Sequence, residues 1–367
     1  MHVLHVVGAR PNFMKAAPVL RAIESYPEAS KTKVRQTLVH TGQHYDAAMS
    51  DVFFQQLEMP APDFNLGVGS STHAQQTAAV MAAIEPVLLD RKPDLVLVYG
   101  DVNSTVAAAL VSSKLGIRVG HVEAGLRSGD RSMPEEINRL VTDQLSDLLF
   151  TPSSDGDENL LREGIAATKI HRVGNVMIDT LVCLLPRSKK EFPNEISQPY
   201  ALVTLHRPAN VDDLPWLQEM MAALADLSAQ LNVVFSVHPR TRQRIAGLPS
   251  LTANHGRFRL TEPLPYLQFL ALQQRASIVI TDSGGIQEET TFLGVPCLTV
   301  RENTERPITL KQGTNQLVGR DVKRLKAAAE EILREKLQAG RVQTNIPLWD
   351  GHAAERIAQV IVRSSTV

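Results

Sequence analysis

Ile278-Val279-Ile280-Thr281-Asp282-Ser283-Gly284-Gly285-Ile286-Gln287-Glu288-Glu289 is the stretch that decides the fold class of this chain. Its first four residues predict a buried strand, Ser-Gly-Gly a tight turn, and the residues beyond it a helix. Glycine lets the backbone approach a ligand closely. The free N–H groups and dipole of a helix start suit a phosphate. Glu289, one turn into that helix, is spaced to accept hydrogen bonds from ribose hydroxyls. The same strand–turn–helix rhythm runs through nearly the whole chain. Strands are predicted at 2–7, 34–39, 95–99, 119–122, 148–151 and 170–173, then at 201–205, 233–237, 258–260, 278–281, 297–300 and 316–318. Helical patterns lie between them, at 72–89, 103–115, 216–231 and 322–337 among others. Near-continuous apolar strands alternating with helices predict parallel sheets covered on both faces, an α/β doubly wound architecture.

The chain has 367 residues, and a single core stops growing beyond about 250–300 residues, so two domains are expected. The rhythm resets at the polar stretch Arg187-Ser188-Lys189-Lys190, which gives an N-terminal Rossmann-like domain at 1–175 and a second at 176–351. A final helix, 352–367, is expected to pack back on the first domain, with a deep cleft between the two. A formal net charge of −1 gives no sign of a general nucleic-acid or membrane-surface binder. Cys183 and Cys297 are too few for a disulfide framework or a Cys-rich zinc site. Met1–Val7 has no basic leader and does not read as a signal peptide. No apolar run reaches the roughly 18 residues of a membrane span. A cytoplasmic protein follows from these features.

Ligands of doubly wound sheets bind outside the carboxyl ends of the strands, so residues just after strands carry the most information. After the first strand, Gly8-Ala9-Arg10-Pro11-Asn12-Phe13-Met14-Lys15 lacks G-x-G-x-x-G and argues against a nicotinamide cofactor. Arg10 and Lys15 instead offer cations to a phosphate, or are a solvated loop arginine and a surface lysine. Asp101, in Tyr99-Gly100-Asp101-Val102-Asn103, is either a functional acid or the N-cap of the next helix. Glu123 sits at the tip of an apolar strand, where burial without a partner is costly. Pro134-Glu135-Glu136 opens a helix, so both acids are open to a reading as helix-start electrostatics. Three segments nevertheless bring carboxylates to one rim. In the second half, His206 and Arg207 end a strand, His238 ends the next, and Arg306 follows another. Phe269 is either a base-flanking aromatic or core.

Taken together, Gly-Asp-Val-Asn-Ser-Thr at 100–105, His-Val-Glu-Ala-Gly-Leu-Arg at 121–127, Pro-Glu-Glu-Ile-Asn-Arg at 134–139 and Asp-Ser-Gly-Gly-Ile-Gln-Glu-Glu at 282–289 resemble the non-hydrolysing UDP-N-acetylglucosamine 2-epimerase family. The resemblance implies two Rossmann-like domains facing a central cleft, the GT-B glycosyltransferase-like fold, and a homodimer. It implies C2 epimerisation of UDP-N-acetylglucosamine to UDP-N-acetylmannosamine by elimination and re-addition of UDP through a 2-acetamidoglucal, as in polysaccharide biosynthesis. No cofactor or metal is implied. Asp101, Glu123, Glu135 and His206 match the family's catalytic positions. Arg10, Lys15, Phe269, Ser283, Gly284, Gly285, Glu289 and Arg306 match positions that hold UDP, and Arg139 lies near the sugar or organises the acids. Gln43 and His44 match part of an activator site, although Leu66–His73 lacks the arginine expected there. His206-Arg207-Pro208-Ala209-Asn210 also departs from the family's usual run, leaving a modified UDP-N-acetylglucosamine, such as a uronic acid derivative, as an alternative substrate. A hydrolysing epimerase, a GT-B glycosyltransferase and a non-enzymatic UDP-sugar sensor are the rival readings.

Overall fold

The computed structural model describes residues 1–27, 34–43, 54–246, 257–336 and 343–364. They form two compact units, Met1–Thr180 with Pro347–Val367, and Leu181–Ile346. In the first unit, β1 (His2–Val7), β2 (Arg35–His40), β3 (Phe64–Asn65), β4 (Leu95–Tyr99), β5 (Arg118–Val122), β6 (Leu148–Thr151) and β7 (Ile170–Arg172) make one parallel sheet in the order β3-β2-β1-β4-β5-β6-β7. Every residue of β4 is buried, as a parallel strand covered on both faces requires. The edge strand β3 was not expected, because two residues are too few to carry a period.

Among the described residues, the helices of this unit include α1 (Arg10–Ser25), α2 (His73–Arg91), α3 (Asn103–Lys114), α4 (Pro134–Leu145), α5 (Ser154–Arg162) and the first part of α6 (Val176–Ser188). Proline near the first position of α1 and of α4 starts each helix where a missing N–H does no harm. The division between units falls inside α6, between Thr180 and Leu181, where the sequence suggested 175/176 at the start of that helix. The chain rejoins the first unit at Pro347 rather than at 352, since Trp349 Nε1 donates to the Pro152 carbonyl at 2.9 Å. The C-terminal helix (Ala353–Arg363) buries Ile357, Ala358 and Ile361 and packs on α1. Asp179 accepts the N–H groups of Ala353 and Ala354 at 3.1 and 2.7 Å, which satisfies two orphan donors of that helix.

In the second unit, β8 (Tyr200–Thr204), β9 (Asn232–Ser236), β10 (Phe258–Thr261), β11 (Ile278–Thr281), β12 (Cys297–Thr299) and β13 (Asn315–Leu317) form a parallel sheet in the order β10-β9-β8-β11-β12-β13. Between and after them come α7 (Pro208–Val211), α8 (Leu214–Leu227), α9 (Pro239–Ile245), α10 (Tyr266–Arg275), α11 (Gly284–Leu293), α12 (Ile308–Lys311) and α13 (Val322–Lys336). Ala201, Val203, Val233, Phe235, Ile278 and Ile280 pack on one face of the sheet, and Tyr200, Leu202, Val234 and Val279 on the other. That alternation buries both faces. The two units share the strand order of six strands, to which the first adds β7 at one edge, so each has a switch point: β1 against β4 in the first, β8 against β11 in the second. Loops leaving those paired strands are where such folds bind ligands.

Candidate active site

At the first switch point, β4 ends at Tyr99 and Gly100 turns the chain at φ 62. The left-handed φ favours glycine, and a Cβ there would lie 2.6 Å from Lys15 Nζ and displace that ammonium. The N-cap of α3 is Val102, so Asp101 does not cap it. Its carboxylate instead accepts from Arg139, Nε at 3.0 Å and Nη2 at 2.8 Å, while Asn138 Nδ2 holds its backbone carbonyl at 2.9 Å. The Asp101 side chain keeps 26% exposure and remains reachable. Buried Asn12 ties the neighbouring loop in place: Oδ1 accepts the Gly8 and Ala9 N–H groups, and Nδ2 donates to the Tyr99 carbonyl at 2.7 Å. Nothing in the sequence around Asn12 marked this role.

Glu123 follows β5 with φ 74, in the left-handed region that a side chain rarely adopts. Its N–H and that of Ala124 both donate to the Phe150 carbonyl, at 3.1 and 3.0 Å, and hold this conformation. Strain of this kind collects at functional sites. The buried Glu123 carboxylate pairs with Lys15 Nζ at 2.8 Å. Lys15, expected to reach a phosphate, is therefore engaged with an acid of the same unit. Arg139 is itself buried and bridges Asp101 to Glu136. Glu136 also accepts from the Ser128 and Gly129 N–H groups at 3.0 and 2.9 Å. Glu135, half-buried in the first turn of α4, makes no hydrogen bond or ion pair among the described residues. Arg10 opens α1 on the surface. Gln43 Oε1 accepts from Ser104, from its N–H at 3.2 Å and its Oγ at 2.7 Å, and so anchors the first turn of α3. His44 lies outside the described residues.

At the second switch point, buried Asp282 follows β11 and organises His206. It accepts the backbone N–H groups of His206 and Arg207 at 3.0 and 2.9 Å, Asn210 Nδ2 at 3.1 Å, and His206 Nδ1 at 2.9 Å. Burial alone would raise the Asp282 carboxyl, but the His206 and backbone donors outweigh it and hold it below its ordinary range. With Nδ1 committed to Asp282, the exposed ring presents Nε2. In the sequence Asp282 carries no evident role of its own. Its place before Ser-Gly-Gly was the available clue. His238 caps α9, accepting from the Arg240 N–H at 3.3 Å, with its ring 6.3 Å from that of His206.

Ser283 precedes α11, and Gly284 and Gly285 head it. Their side is shared with Arg306, since a Cβ on Gly284 would meet Arg306 Nη1 at 2.4 Å and Glu305 Oε1 at 2.7 Å. Arg306 is buried and paired with Glu288 at 3.0 Å and with Glu305, which also holds Arg301 at 2.8 Å. Tyr266 Oη donates to buried Glu289 Oε1 at 2.7 Å. Phe269 is half-buried against the core that contains Tyr200 and Leu202. The helix start, Arg306 and Glu289 together offer anion-binding N–H groups and an acceptor carboxylate within one unit. Among the described residues, no three His, Cys, Asp or Glu side chains are grouped to hold a metal ion, and no helix is long and apolar enough to cross a membrane.

Residues 28–362 match the family model described as UDP-N-acetylglucosamine 2-epimerase. The chain is 43% identical to the UDP-N-acetylglucosamine 2-epimerase of Methanocaldococcus jannaschii, over 97% of each chain. It is 40% identical to the UDP-2,3-diacetamido-2,3-dideoxy-D-glucuronate 2-epimerase of Pseudomonas aeruginosa, over 99% of this chain and 100% of that one. The crystal structure of the Methanocaldococcus jannaschii UDP-GlcNAc 2-epimerase in complex with UDP-GlcNAc and UDP superposes with a TM-score of 0.88 at 40% identity, covering 99% of this chain and 100% of that one.

Proposed function

This chain belongs to the UDP-N-acetylglucosamine 2-epimerase family, and we propose that it interconverts UDP-N-acetylglucosamine and UDP-N-acetylmannosamine without net hydrolysis. In this reading a carboxylate takes the C2 proton as the C1–oxygen bond to UDP breaks. A C1–C2 double bond forms, leaving 2-acetamidoglucal and UDP. A proton then returns to C2 on the opposite face, and UDP re-adds at C1. The C2 hydrogen is weakly acidic, so its removal accompanies or follows the growth of oxocarbenium character, which nearby carboxylates stabilise. One acid does not easily serve both faces. Asp101, Glu123 and Glu135 are assigned to proton transfer and cation stabilisation, with Arg139 organising the acids through Asp101 and Glu136. His206, oriented by Asp282, and the Gly284–Gly285 helix start beside Arg306 are assigned to the departing diphosphate, and Glu289 to the ribose.

One observation carries this reading: the Asp101 carboxylate and Glu136, the neighbour of Glu135 on α4, are joined through a single buried arginine at the first switch point. A glycosyltransferase or a UDP-sugar sensor needs the phosphate contacts but not that set of acids. The test is UDP-N-acetylglucosamine incubated with the protein in D₂O without any acceptor, followed by NMR. Deuterium at C2 of both epimers is expected. Epimer formed with no deuterium overturns the proton-transfer assignment, and free N-acetylmannosamine with UDP as the sole products identifies a hydrolysing enzyme. The 40% identity to the Pseudomonas aeruginosa enzyme favours a second reading, a UDP-diacetamido-uronate as substrate. Comparing kcat/KM for the two nucleotide sugars separates these readings.

A further inference from the structure

Four titratable side chains lie behind the acid-bearing loops of the first unit, and none has a part in the scheme above. His121 on β5 is fully buried, with Nδ1 2.6 Å from Asp143 Oδ1 and Nε2 2.8 Å from the Gly100 carbonyl oxygen. Asp143 on α4 is equally buried, accepts the Gly125 N–H at 3.1 Å and pairs with Arg127 Nη2 at 2.7 Å. Arg127 continues to Glu163, with Nε at 2.8 Å and Nη2 at 2.6 Å. One imidazole therefore reaches the turn before Asp101. Its carboxylate partner reaches the turn after Glu123. Both meet on α4, the helix that carries Glu135, Glu136 and Arg139.

The protons on that ring follow from its partners. The Gly100 carbonyl only accepts. Asp143 is paired with Arg127 and takes the Gly125 N–H on the same oxygen, so as a carboxylate it too only accepts. An imidazole facing two acceptors must donate from both nitrogens, and a ring that does so is positively charged. The chain His121, Asp143, Arg127, Glu163 then alternates in sign and balances, which a buried charge requires.

We propose that His121 is a positioning residue for the reaction: donating from both ring nitrogens, it locks the Gly100–Asp101 turn and, through Asp143, the Glu123–Gly125 turn to helix α4. The inference rests on the acids assigned above. Displacement of a reacting group by an ångström costs about 10²-fold in rate, so the bridge acts on kcat rather than on nucleotide binding.

Two measurements test it. Nitrogen-15 NMR of the wild-type protein near neutral pH is expected to show two ring N–H groups on His121. His121→Phe is expected to lower kcat by about 10²-fold, with KM and UDP affinity changed less than about twofold per folded molecule. His121→Gln, which keeps a donor toward Gly100, recovers part of that loss, and C2 deuteration falls in step with epimerisation. A single ring N–H on folded wild-type protein overturns the two-donor bridge. Wild-type kcat in folded His121→Phe, or in His121→Gln where the phenylalanine variant does not fold, overturns the positioning role. Absence of C2 exchange in the wild type overturns the acid assignment instead, and the ring N–H count then decides the bridge alone.

Discussion

Glu135 and Glu136 are chemically identical neighbours with different fates, because one step along an α-helix turns the side chain by about 100°. Glu136 faces inward to Arg139 and two backbone N–H groups, whereas Glu135 stays half-buried without them. Glu136→Gln leaves buried Arg139 short of one anion. Breaking a buried pair in this way costs about 3–5 kcal/mol. Denaturant melts are expected to show that loss, together with a fall in kcat as Arg139 and Asp101 shift. His5 sets a different limit. Its Nδ1 meets Tyr99 Oη at 2.7 Å and its Nε2 meets Gln36 Oε1 at 3.0 Å, and burial pushes it down to about 3 from 6.5. Unfolded His5 takes up a proton as pH falls through 6.5, and the folded residue refuses one until about 3. Stability is therefore lost progressively as pH falls across that window, by about 1.4 kcal/mol per pH unit. His5→Gln is expected to remove this slope from denaturant melts run between pH 6 and 4, roughly the middle of the window.

At the scale of elements, each switch point depends on a glycine that follows a strand. Gly100→Ala would strain a left-handed turn by about 1–2 kcal/mol and drive its Cβ against Lys15. The Lys15–Glu123 pair then moves, and kcat is the quantity expected to suffer. Gly284→Ala leaves the helix start in place but thrusts a methyl at Arg306 and Glu305. Its expected signature is the opposite one: UDP affinity by calorimetry weakens at least about tenfold, equivalent to 1.4 kcal/mol. Unchanged UDP affinity in a folded Gly284→Ala protein would remove Arg306 and this helix start from the nucleotide site.

At the scale of the molecule, the first unit is closed by residues far along the chain. Trp349 bonds to the Pro152 carbonyl, and Asp179 caps the C-terminal helix that covers α1. Trp349→Ala is expected to cost about 3–5 kcal/mol, the range for truncating a buried aromatic. Limited proteolysis should then open the first unit while the second stays resistant. Resistance of both units alike would show that the Trp349 contact is dispensable.

The alternation of apolar strands with helices, the parallel sheets and the family motifs were all legible in the chain, because a strand buried on both faces must be apolar throughout. The positions of Asp101, Glu123 and Glu135 just after strands or at a helix start were legible for the same reason. Partner choice was not. Whether Asp101 caps α3 or meets Arg139, whether Lys15 faces solvent or Glu123, and which atoms His121 serves depend on residues from distant segments. Local period and composition act over a few residues, so they determine elements and the loops that follow them. Only the tertiary structure brings Lys15 to Glu123 and His121 to Gly100 and Asp143, since burial removes the water that would otherwise satisfy each charge and leaves the nearest opposite group to do it.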